Sequence, residues 1–434
     1  VWSVLHSHPF YNSEQQSQRY VKLAEPRACV PPIDGEARAV FERAVLEAWA
    51  SYGRLAALLK DDTFRILKQL RYVTPRVSAE RLKAIERDAE KKAIEVARYV
   101  IPLAAFTAMV HTVSGLTLYR LWRMAGAGDA PWKARRVVGA MIDAVRAHDP
   151  QFVDRFAIET IDPDALPETA FPRPIEDGEA FARRFDARLG GRTSRLVAAT
   201  PDSEALVAEA VRAVFALDES QMSDEEAIAR ALDPARNRYR LDMLNLSYHS
   251  PLMRALHHVS YTFARKVSHT ADSQDQRHRM VPASRPLLAC ADTREPDYVT
   301  PMLIRANQVA RAEYEAQMRR AWDAKNRLLA LGVPIEFALY VLPNAKAVRY
   351  YESGPLIALV HKWTMRTCFN AQEEIYQASI DELEQVRAVH PRLARHIGPP
   401  CVVRNGLASP RCTEGTHFCG VPVWRDWPGV QRQL

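Results

Sequence analysis

A nine-residue segment occurs twice in this chain, and this repetition restricts the fold more than any other feature of the sequence. Residues 94–102 read IEVARYVIP and residues 335–343 read IEFALYVLP, so six of nine positions are identical at an offset of 241 residues, without a gap. In both copies a charged amphipathic stretch precedes the segment and a second helical pattern follows the proline. A repeat of this kind predicts a duplicated domain.

The composition between the two copies suggests where the domains begin and end. Residues 161–177 are rich in Pro, Asp and Glu, which is typical of a linker or a surface excursion. A second domain opens near Arg195, where residues 195–199 predict a strand and residues 204–217 a helix. We therefore predict an N-terminal domain at 1–150 that lacks its upstream part, a linker at 151–189, a C-terminal domain at 190–400 and a Cys-rich tail at 401–434.

Composition and charge exclude several classes of protein. Of the 434 residues 47% are hydrophobic, and 59 Lys and Arg against 52 Asp and Glu give a net charge of +7. These are values of a globular chain, and no apolar run reaches the roughly 18 residues of a membrane span. Six Cys in this length do not make a disulfide framework, so we expect a cytoplasmic protein without a membrane partner. The small basic excess suits phosphorylated small molecules as well as nucleic acid.

Two segments are unusually polar for their length. One contains Ser17 and Arg19, and the other contains Arg277, His278 and Arg279. Two guanidinium groups beside an imidazole form a set of donors suited to phosphate or an anionic ring. A Ser two residues before an Arg can act in the same way from an extended loop. The alternative for each segment is an ordinary solvated loop.

Together these segments resemble the two halves of one motif of the flavin-dependent thymidylate synthases, the ThyX family. In that family RHR is followed by seven residues and then by Ser-x-Arg. Arg277-His278-Arg279 matches the beginning of the motif, and Ser17-Gln18-Arg19-Tyr20 matches its end. In the first copy Ser7-His8-Pro9 stands where RHR is expected. Each copy therefore retains the half that the other has lost.

Further segments of the second copy are similar to the same family. The sequence GVPIEFALYVLP at 332–343 resembles a family stretch, and residues 364–366 and 370–375 resemble its Asn-Leu-Arg and His-Ala-Gln-x-Glu-Ile segments. The resemblance places Arg349 at the family's phosphate-binding arginine. Subtracting 241 gives Ala108, so the first copy has lost that arginine.

The resemblance implies an α+β fold, with helices packed on an antiparallel sheet and two ThyX-like domains forming a pseudo-dimer within one chain. Two chains would then form a homodimer that mimics the family's tetramer. The implied FAD ligands are Arg277, His278, Arg279, Arg366 and Asn370. The implied nucleotide ligands are Gln274, Arg349, Ser17 and Arg19, of which Ser17 and Arg19 are also the implied catalytic residues.

The implied reaction is reductive methylation at C5 of a uracil deoxynucleotide, dUMP. Methylene-tetrahydrofolate would supply the carbon, and FAD reduced by NADPH would supply the hydride. Two alternatives remain open from the sequence. One is a non-catalytic protein of the same fold that binds flavin or nucleotide, and the other is a flavoprotein that methylates uracil in another nucleotide or in a nucleic acid.

The tail suggests a separate metal site. Cys401, Cys412, His417 and Cys419 lie within nineteen residues, and three thiolates with one imidazole can close a tetrahedral zinc site. Cys290 could replace His417 as a ligand. The spacing is not that of a standard zinc finger, and free thiols in a docking tail are the alternative.

Overall fold

The computed structural model describes residues 5–6, 9–125, 131–154, 176–243 and 246–434, and it has the α+β architecture expected from the sequence. The predicted linker residues 161–175 lie outside the described residues. The N-terminal repeat contains, in chain order, β1 (Tyr11–Gln15), α1 (Gly35–Leu70), α2 (Ala79–Ala97), β2 (Met109–Val113), α3 (Gly115–Ala125), α4 (Trp132–His148) and α5 (Pro150–Asp154).

The C-terminal repeat follows a helix that lies within the predicted linker. The elements are α6 (Glu176–Leu189), β3 (Ser194–Ala199), α7 (Ser203–Phe215), α8 (Asp224–Leu232), α9 (Pro251–Arg254), β4 (Ser260–Ser268), α10 (His269–Asp275), β5 (Ala283–Ser284), α11 (Met302–Ala306), α12 (Gln308–Ala330), α13 (Ile335–Ala338), β6 (Ala347–Pro355), α14 (Leu356–Arg366), α15 (Glu373–Val389), α16 (Pro391–Ala394) and α17 (Pro400–Val403). Strand β3 and helix α7 confirm the strand and the helix predicted after residue 194.

The second half of each repeat has the same secondary structure at the offset of 241 residues. A 3₁₀ turn at Arg98–Val100 reappears at Leu339–Val341. Helix α3 corresponds to α14 and helix α4 to α15, with the same first and last positions after the offset. The repetition predicted from nine residues therefore extends through a turn, a strand and two helices.

Strand pairing aligns the first halves of the two repeats as well. Strand β1 pairs antiparallel with β2, placing Ser13 opposite His111, and β5 pairs with β6, placing Ala283 opposite Glu352. Because His111 and Glu352 are equivalent, Ser13 and Ala283 are equivalent too. Counted from these positions, Pro9 corresponds to Arg279, and Ser17 and Arg19 correspond to Leu287 and Ala289. The structure thus confirms that each repeat lacks the half-motif that the other retains.

The two repeats contact each other through the repeated segment itself. The N–H groups of Leu103 and Asn344 donate to the carbonyls of Leu342 and Ile101, both at 2.8 Å. Pro102 and Pro343 form a bridge between these hydrogen bonds. Adding 241 to Leu103 gives Asn344, and subtracting 241 from Leu342 gives Ile101, so the contact is reciprocal, as a two-fold axis requires.

The main hydrophobic core is shared by both repeats. Helices α1 and α2 of the N-terminal repeat form a long hairpin, which packs against helix α12 of the C-terminal repeat. The residues of this core include Phe41, Leu55, Leu59, Ile101, Tyr314, Trp322 and Leu342, none more than 2% exposed. A second core lies within the C-terminal repeat, where α7, α8, α14 and α15 cover the four-stranded sheet of order β3-β4-β6-β5. Burial of apolar surface across the repeat boundary stabilises the two repeats as one unit.

Candidate functional site

The Arg-His-Arg segment of the C-terminal repeat lies against the first strand of the N-terminal repeat. Strand β4 passes into α10 through Ser268, whose hydroxyl accepts the N–H of Ala271 as an N-cap. Helix α10 ends at Asp275, and the turn that follows exposes Arg277 and Arg279. Arg277 Nη1 donates to the carbonyl of Ser13 at 3.0 Å, and Arg279 lies with its guanidinium 4.1 Å from the centre of the Tyr11 ring. The two repeats therefore meet at this motif.

His278 is held by an arginine from another helix. Arg366, at the end of α14, donates from Nε to His278 Nε2 at 2.8 Å. The imidazole Nε2 is therefore an acceptor, and a neutral ring carries its proton on Nδ1. Burial, together with the positive charge of Arg366, holds the pKa of His278 well below its usual range. The site thus contains a neutral histidine beside a cation.

A buried group of charged side chains lies next to the Arg366–His278 pair. Asp275 has a side chain 1% exposed, and Lys362 Nζ lies 2.9 Å from its Oδ2. Its second oxygen lies 4.0 Å from Arg366 Nε. Arg265 also contacts Asp275 and reaches Glu352 at 2.6 Å. Because unpaired buried charges are costly, this arrangement restricts where Arg366 can lie.

The retained half-motif of the N-terminal repeat reaches the same region. Arg19 Nε donates to Glu95 at 3.0 Å, and Arg19 Nη2 donates to the main-chain carbonyl of Asn370 at 2.6 Å. The hydroxyl of Ser17 accepts the main-chain N–H of Arg19 at 3.2 Å, which shapes the loop before Arg19. The structure thus places Arg19 beside Asn370, a residue of the other repeat.

Gln274 completes the set of predicted residues at this interface. Its amide donates to Gln372, whose carbonyl oxygen also accepts Arg98 Nη2 at 3.1 Å. The Gln372 amide in turn donates to the Tyr99 hydroxyl. Glu95, Arg98, Tyr99 and Gln372 were not among the residues predicted for the site. A signal was present, because three of them belong to the repeated segment at 94–102.

Comparison with known proteins agrees with this geometry. The family model for the thymidylate synthase complementing proteins matches residues 1–151 and 195–392 of the chain.

The chain belongs to this family.

Relatives named flavin-dependent thymidylate synthase are each similar to about half of the chain. The protein of Geobacter sulfurreducens is 32% identical over 229 residues, which cover 51% of this chain and 90% of the relative. The protein of Sulfurisphaera tokodaii is 31% identical over 223 residues, covering 49% of this chain and 80% of the relative. That of Nitratidesulfovibrio vulgaris is 34% identical over 184 residues, covering 40% and 73%. A near-complete relative that matches half a chain is expected for a tandem duplication.

Arg349 does not join the family's other expected site residues. Successive side chains of a strand point to opposite faces of the sheet. Glu352 of β6 contacts the buried charges behind Arg366, whereas Arg349 points to the other face. There it makes four hydrogen bonds of 2.7–2.9 Å with Asp186 and Asp297. Arg349, which the resemblance assigns to the nucleotide phosphate, therefore lies on the opposite face of the sheet from Glu352.

Asp186 belongs to α6, in the part of the chain between the two family matches. Asp186 thus binds the guanidinium of Arg349, which the resemblance assigned to a phosphate. Burial raises the pKa of a carboxyl group, but Arg349 and Lys266 outweigh burial here and hold the pKa of Asp186 below its usual range. The Arg349–Asp186 contact is an ion pair.

The zinc site predicted in the tail is not found among the described residues. Among the described residues no group of three or more His, Cys, Asp or Glu side chains is arranged to hold a metal ion. Cys401, Cys412 and Cys419 line a cleft together with Cys368, but the ring of His417 turns instead toward Tyr20, at 6.2 Å between centroids. Cys290, the alternative ligand, is exposed. Burial raises the pKa of Cys401 to about 12.

The tail instead contacts the candidate site directly. The Asn370 amide donates to Glu414 at 3.2 Å and to the carbonyl of His417 at 2.6 Å.

None of the helices in the described part of the chain is long and apolar enough to cross a membrane.

Proposed function

We propose that this chain is a FAD-dependent thymidylate synthase-like enzyme that methylates dUMP at C5, using methylene-tetrahydrofolate and NADPH. The observation that carries the proposal is that each retained half-motif contacts the other repeat, Arg19 through Asn370 and Arg277 through Ser13. A chain that had lost its function would have no reason to retain complementary halves at one interface. The family of the chain supports the same reaction.

The proposal includes a division of labour between the repeats. The reciprocal hydrogen bonds around Pro102 and Pro343 support a pseudo-dimer with domains at 1–150 and 190–400, joined by a linker at 151–189. Two such chains would form a homodimer with the symmetry of a tetramer. Residues of the tail at 401–434 would then line one side of the site.

The residues present fit a flavin dinucleotide. Arg277 and Arg279 supply exposed cationic donors that can meet a diphosphate, and Arg366 adds a half-buried one. His278 offers a neutral ring, and Asn370 an amide. FAD, when bound, supplies the hydride, whereas the protein supplies donors and orientation.

Gln274, Ser17 and Arg19 would bind the nucleotide. A guanidinium at a uracil carbonyl stabilises the negative charge that develops when C5 acts as a nucleophile, and Arg19 is our candidate. Burial alone would raise the pKa of Glu95, but Arg19 and Lys92 hold that pKa far below its usual range. Glu95 is therefore a fixed anion that orients Arg19.

The test is a combined measurement on the purified full-length chain. We expect a visible flavin spectrum that NADPH bleaches, and conversion of dUMP to dTMP when methylene-tetrahydrofolate is present. A protein that carries flavin and is reduced by NADPH but forms no dTMP would contradict the methylation step. A protein without flavin, even after incubation with FAD, would contradict the whole proposal.

One observation favours a second candidate, a flavin- or nucleotide-binding protein without turnover. Arg349, the residue expected at the phosphate, is occupied by Asp186 and Asp297. If no other cation replaces it, substrate would bind weakly. Binding of FAD and dUMP without any dTMP formation would support this candidate over the enzyme.

A further inference from the structure

A turn of the tail, from Glu414 to His417, lies against the place where Arg19 meets Asn370. The side-chain amide of Asn370 donates to the carboxylate of Glu414 at 3.2 Å and to the carbonyl of His417 at 2.6 Å. The ring of His417 stacks on Tyr20, the residue after Arg19, with 29° between the two planes. This tail turn therefore contacts a residue on each side of the Arg19–Asn370 hydrogen bond.

The chain that follows the tail turn is anchored by contacts that do not involve Asn370. Val421 and Val423 are buried in a small apolar core together with Phe369. Arg71, the residue after α1, donates from Nε to the carbonyl of Cys419 at 3.3 Å. Because these anchors belong to both repeats, the tail turn presents its acceptors to Asn370 from a fixed position.

The two contacts with the tail turn determine which way the Asn370 amide faces. A carboxylate and a main-chain carbonyl are both acceptors, so the amide nitrogen, with its two N–H groups, must lie on the side of the tail. The amide oxygen Oδ1 is then turned away from both partners. Within the described residues Oδ1 accepts no hydrogen bond, and it is not one of the buried atoms without a partner. Asn370 therefore offers a ligand an acceptor and no donor.

The residue type at position 370 suits these contacts. The segment at 370–375 resembles the family's His-Ala-Gln-x-Glu-Ile, so Asn370 stands in place of a histidine. A ring nitrogen of an imidazole carries at most one hydrogen, so a histidine could not donate to Glu414 and to the carbonyl of His417 from one atom. Both acceptors belong to the tail, beyond the family match that ends at residue 392. The amide at 370 and the tail therefore match each other.

We propose that the tail turn sets Asn370 as the acceptor for the ring N–H of a cyclic imide, with Glu414 as the positioning residue. Such a ring has one N–H between two carbonyls, and the flavin isoalloxazine and the uracil base both contain it. Arg19 supplies a donor beside the acceptor, because its Nε and Nη2 bind Glu95 and Asn370 while its Nη1 makes no hydrogen bond within the described residues. An adjacent donor and acceptor match the carbonyl and the N–H of an imide. That the ring belongs to FAD or dUMP rests on the proposed function, whereas the orientation of Asn370 does not.

The experiment compares FAD and dUMP with the same two molecules methylated at the imide nitrogen N3, by calorimetry on the flavin-free full-length chain. For the ligand that meets Asn370, we expect methylation to weaken binding to wild type about tenfold, and the arm in which this happens identifies the ring. Glu414→Ala should reduce this ratio severalfold, because the amide can then turn over. Glu414→Gln should keep the ratio, because the Gln carbonyl replaces the lost acceptor. Asp426→Ala, which removes an exposed carboxylate of the same tail, is the matched control and should also keep it.

Two outcomes separate this inference from the proposed function. If the ratio is the same in wild type, Glu414→Ala and Glu414→Gln for both ligands, the inference is wrong even when dTMP is formed. If the ratio for FAD falls in Glu414→Ala and is kept in Glu414→Gln, but no dTMP is formed, the inference stands and the proposed function fails. Should Glu414→Ala not fold, Asn370→Leu permits the same comparison, because Leu is similar in size and has no acceptor. Its ratio should be close to one, and an unchanged ratio would overturn the inference.

Discussion

Arg19 donates a hydrogen bond of 2.6 Å to the main-chain carbonyl of Asn370, a residue 351 positions further along the chain. Arg19 belongs to the N-terminal repeat and Asn370 to the C-terminal one. The side chain of Arg19 is 15% exposed, so the contact is largely shielded from water. Neither repeat could form this contact alone.

We expect Arg19→Ala to weaken dUMP binding by about ten- to a hundredfold while FAD stays bound. A charge-assisted hydrogen bond contributes roughly 1.5–3 kcal/mol, which corresponds to that range of affinity. Calorimetry with dUMP and the flavin absorbance per protein would measure the two effects. Arg27→Ala is the control, because Arg27 has a side chain 76% exposed and pairs with Glu25. Unchanged dUMP affinity would show that Arg19 only joins the repeats.

Arg366→Ala should yield a protein with little or no bound flavin. The substitution removes the donor to His278 and one of the cations near Asp275, so the turn that carries Arg277, His278 and Arg279 loses a support. The pKa of His278 should also rise, because the like charge of Arg366 helps to lower it. Visible absorbance and histidine titration by NMR are the two measurements. Full flavin content, with Arg395→Ala as an exposed control, would contradict this role.

Ile101→Ala and Leu342→Ala should destabilise the chain by similar amounts, about 2–5 kcal/mol each. The two residues are equivalent in the repeat, both are fully buried, and both lie in the shared core. Urea unfolding should show a single transition for wild type and for both variants. Two separate transitions, with each variant shifting only one, would mean that the repeats unfold independently.

The stability of the chain should fall as the pH rises from about 4.5 to 7 because of Glu373. Burial raises its folded-state pKa to about 7 from an ordinary value of 4.5, so the folded chain binds the proton more tightly than the unfolded chain in this window. Glu373→Gln should remove this loss, which is on the order of 3 kcal/mol at pH 8. Melting temperatures at a series of pH values measure it, with exposed Glu384→Gln as the control. Parallel profiles for wild type and Glu373→Gln would contradict the assignment.

Much of the architecture could be predicted from local patterns. The segment at 94–102 and 335–343 indicated the duplication, and the structure extends it to α3 with α14 and α4 with α15. The half-motifs also identified Arg277–Arg279 and Ser17–Arg19 as complementary. These predictions succeed because a repeated sequence forms the same local structure twice.

The identity of contact partners could not be predicted in the same way. Nothing in the sequence links Arg349 to Asp186, which lies in the segment between the two family matches. The cysteines of the tail are close in sequence, yet they are not arranged to hold a metal among the described residues. Spacing along the chain determines which residues can be neighbours only over a turn or a strand.

The sequence by itself determined the family, the duplication and the residue types available for anion binding. Only the tertiary structure decided which of these residues meet. Arg19 and Asn370 come together, whereas Arg349 turns to the opposite face of its sheet. The physical reason is that the side chains of β6 alternate between two faces, so Arg349 packs beside α6 whereas Glu352 packs beside Arg265 and Lys362. Charge pairing then follows from that packing, because a buried cation must find an anion on its own side of the sheet.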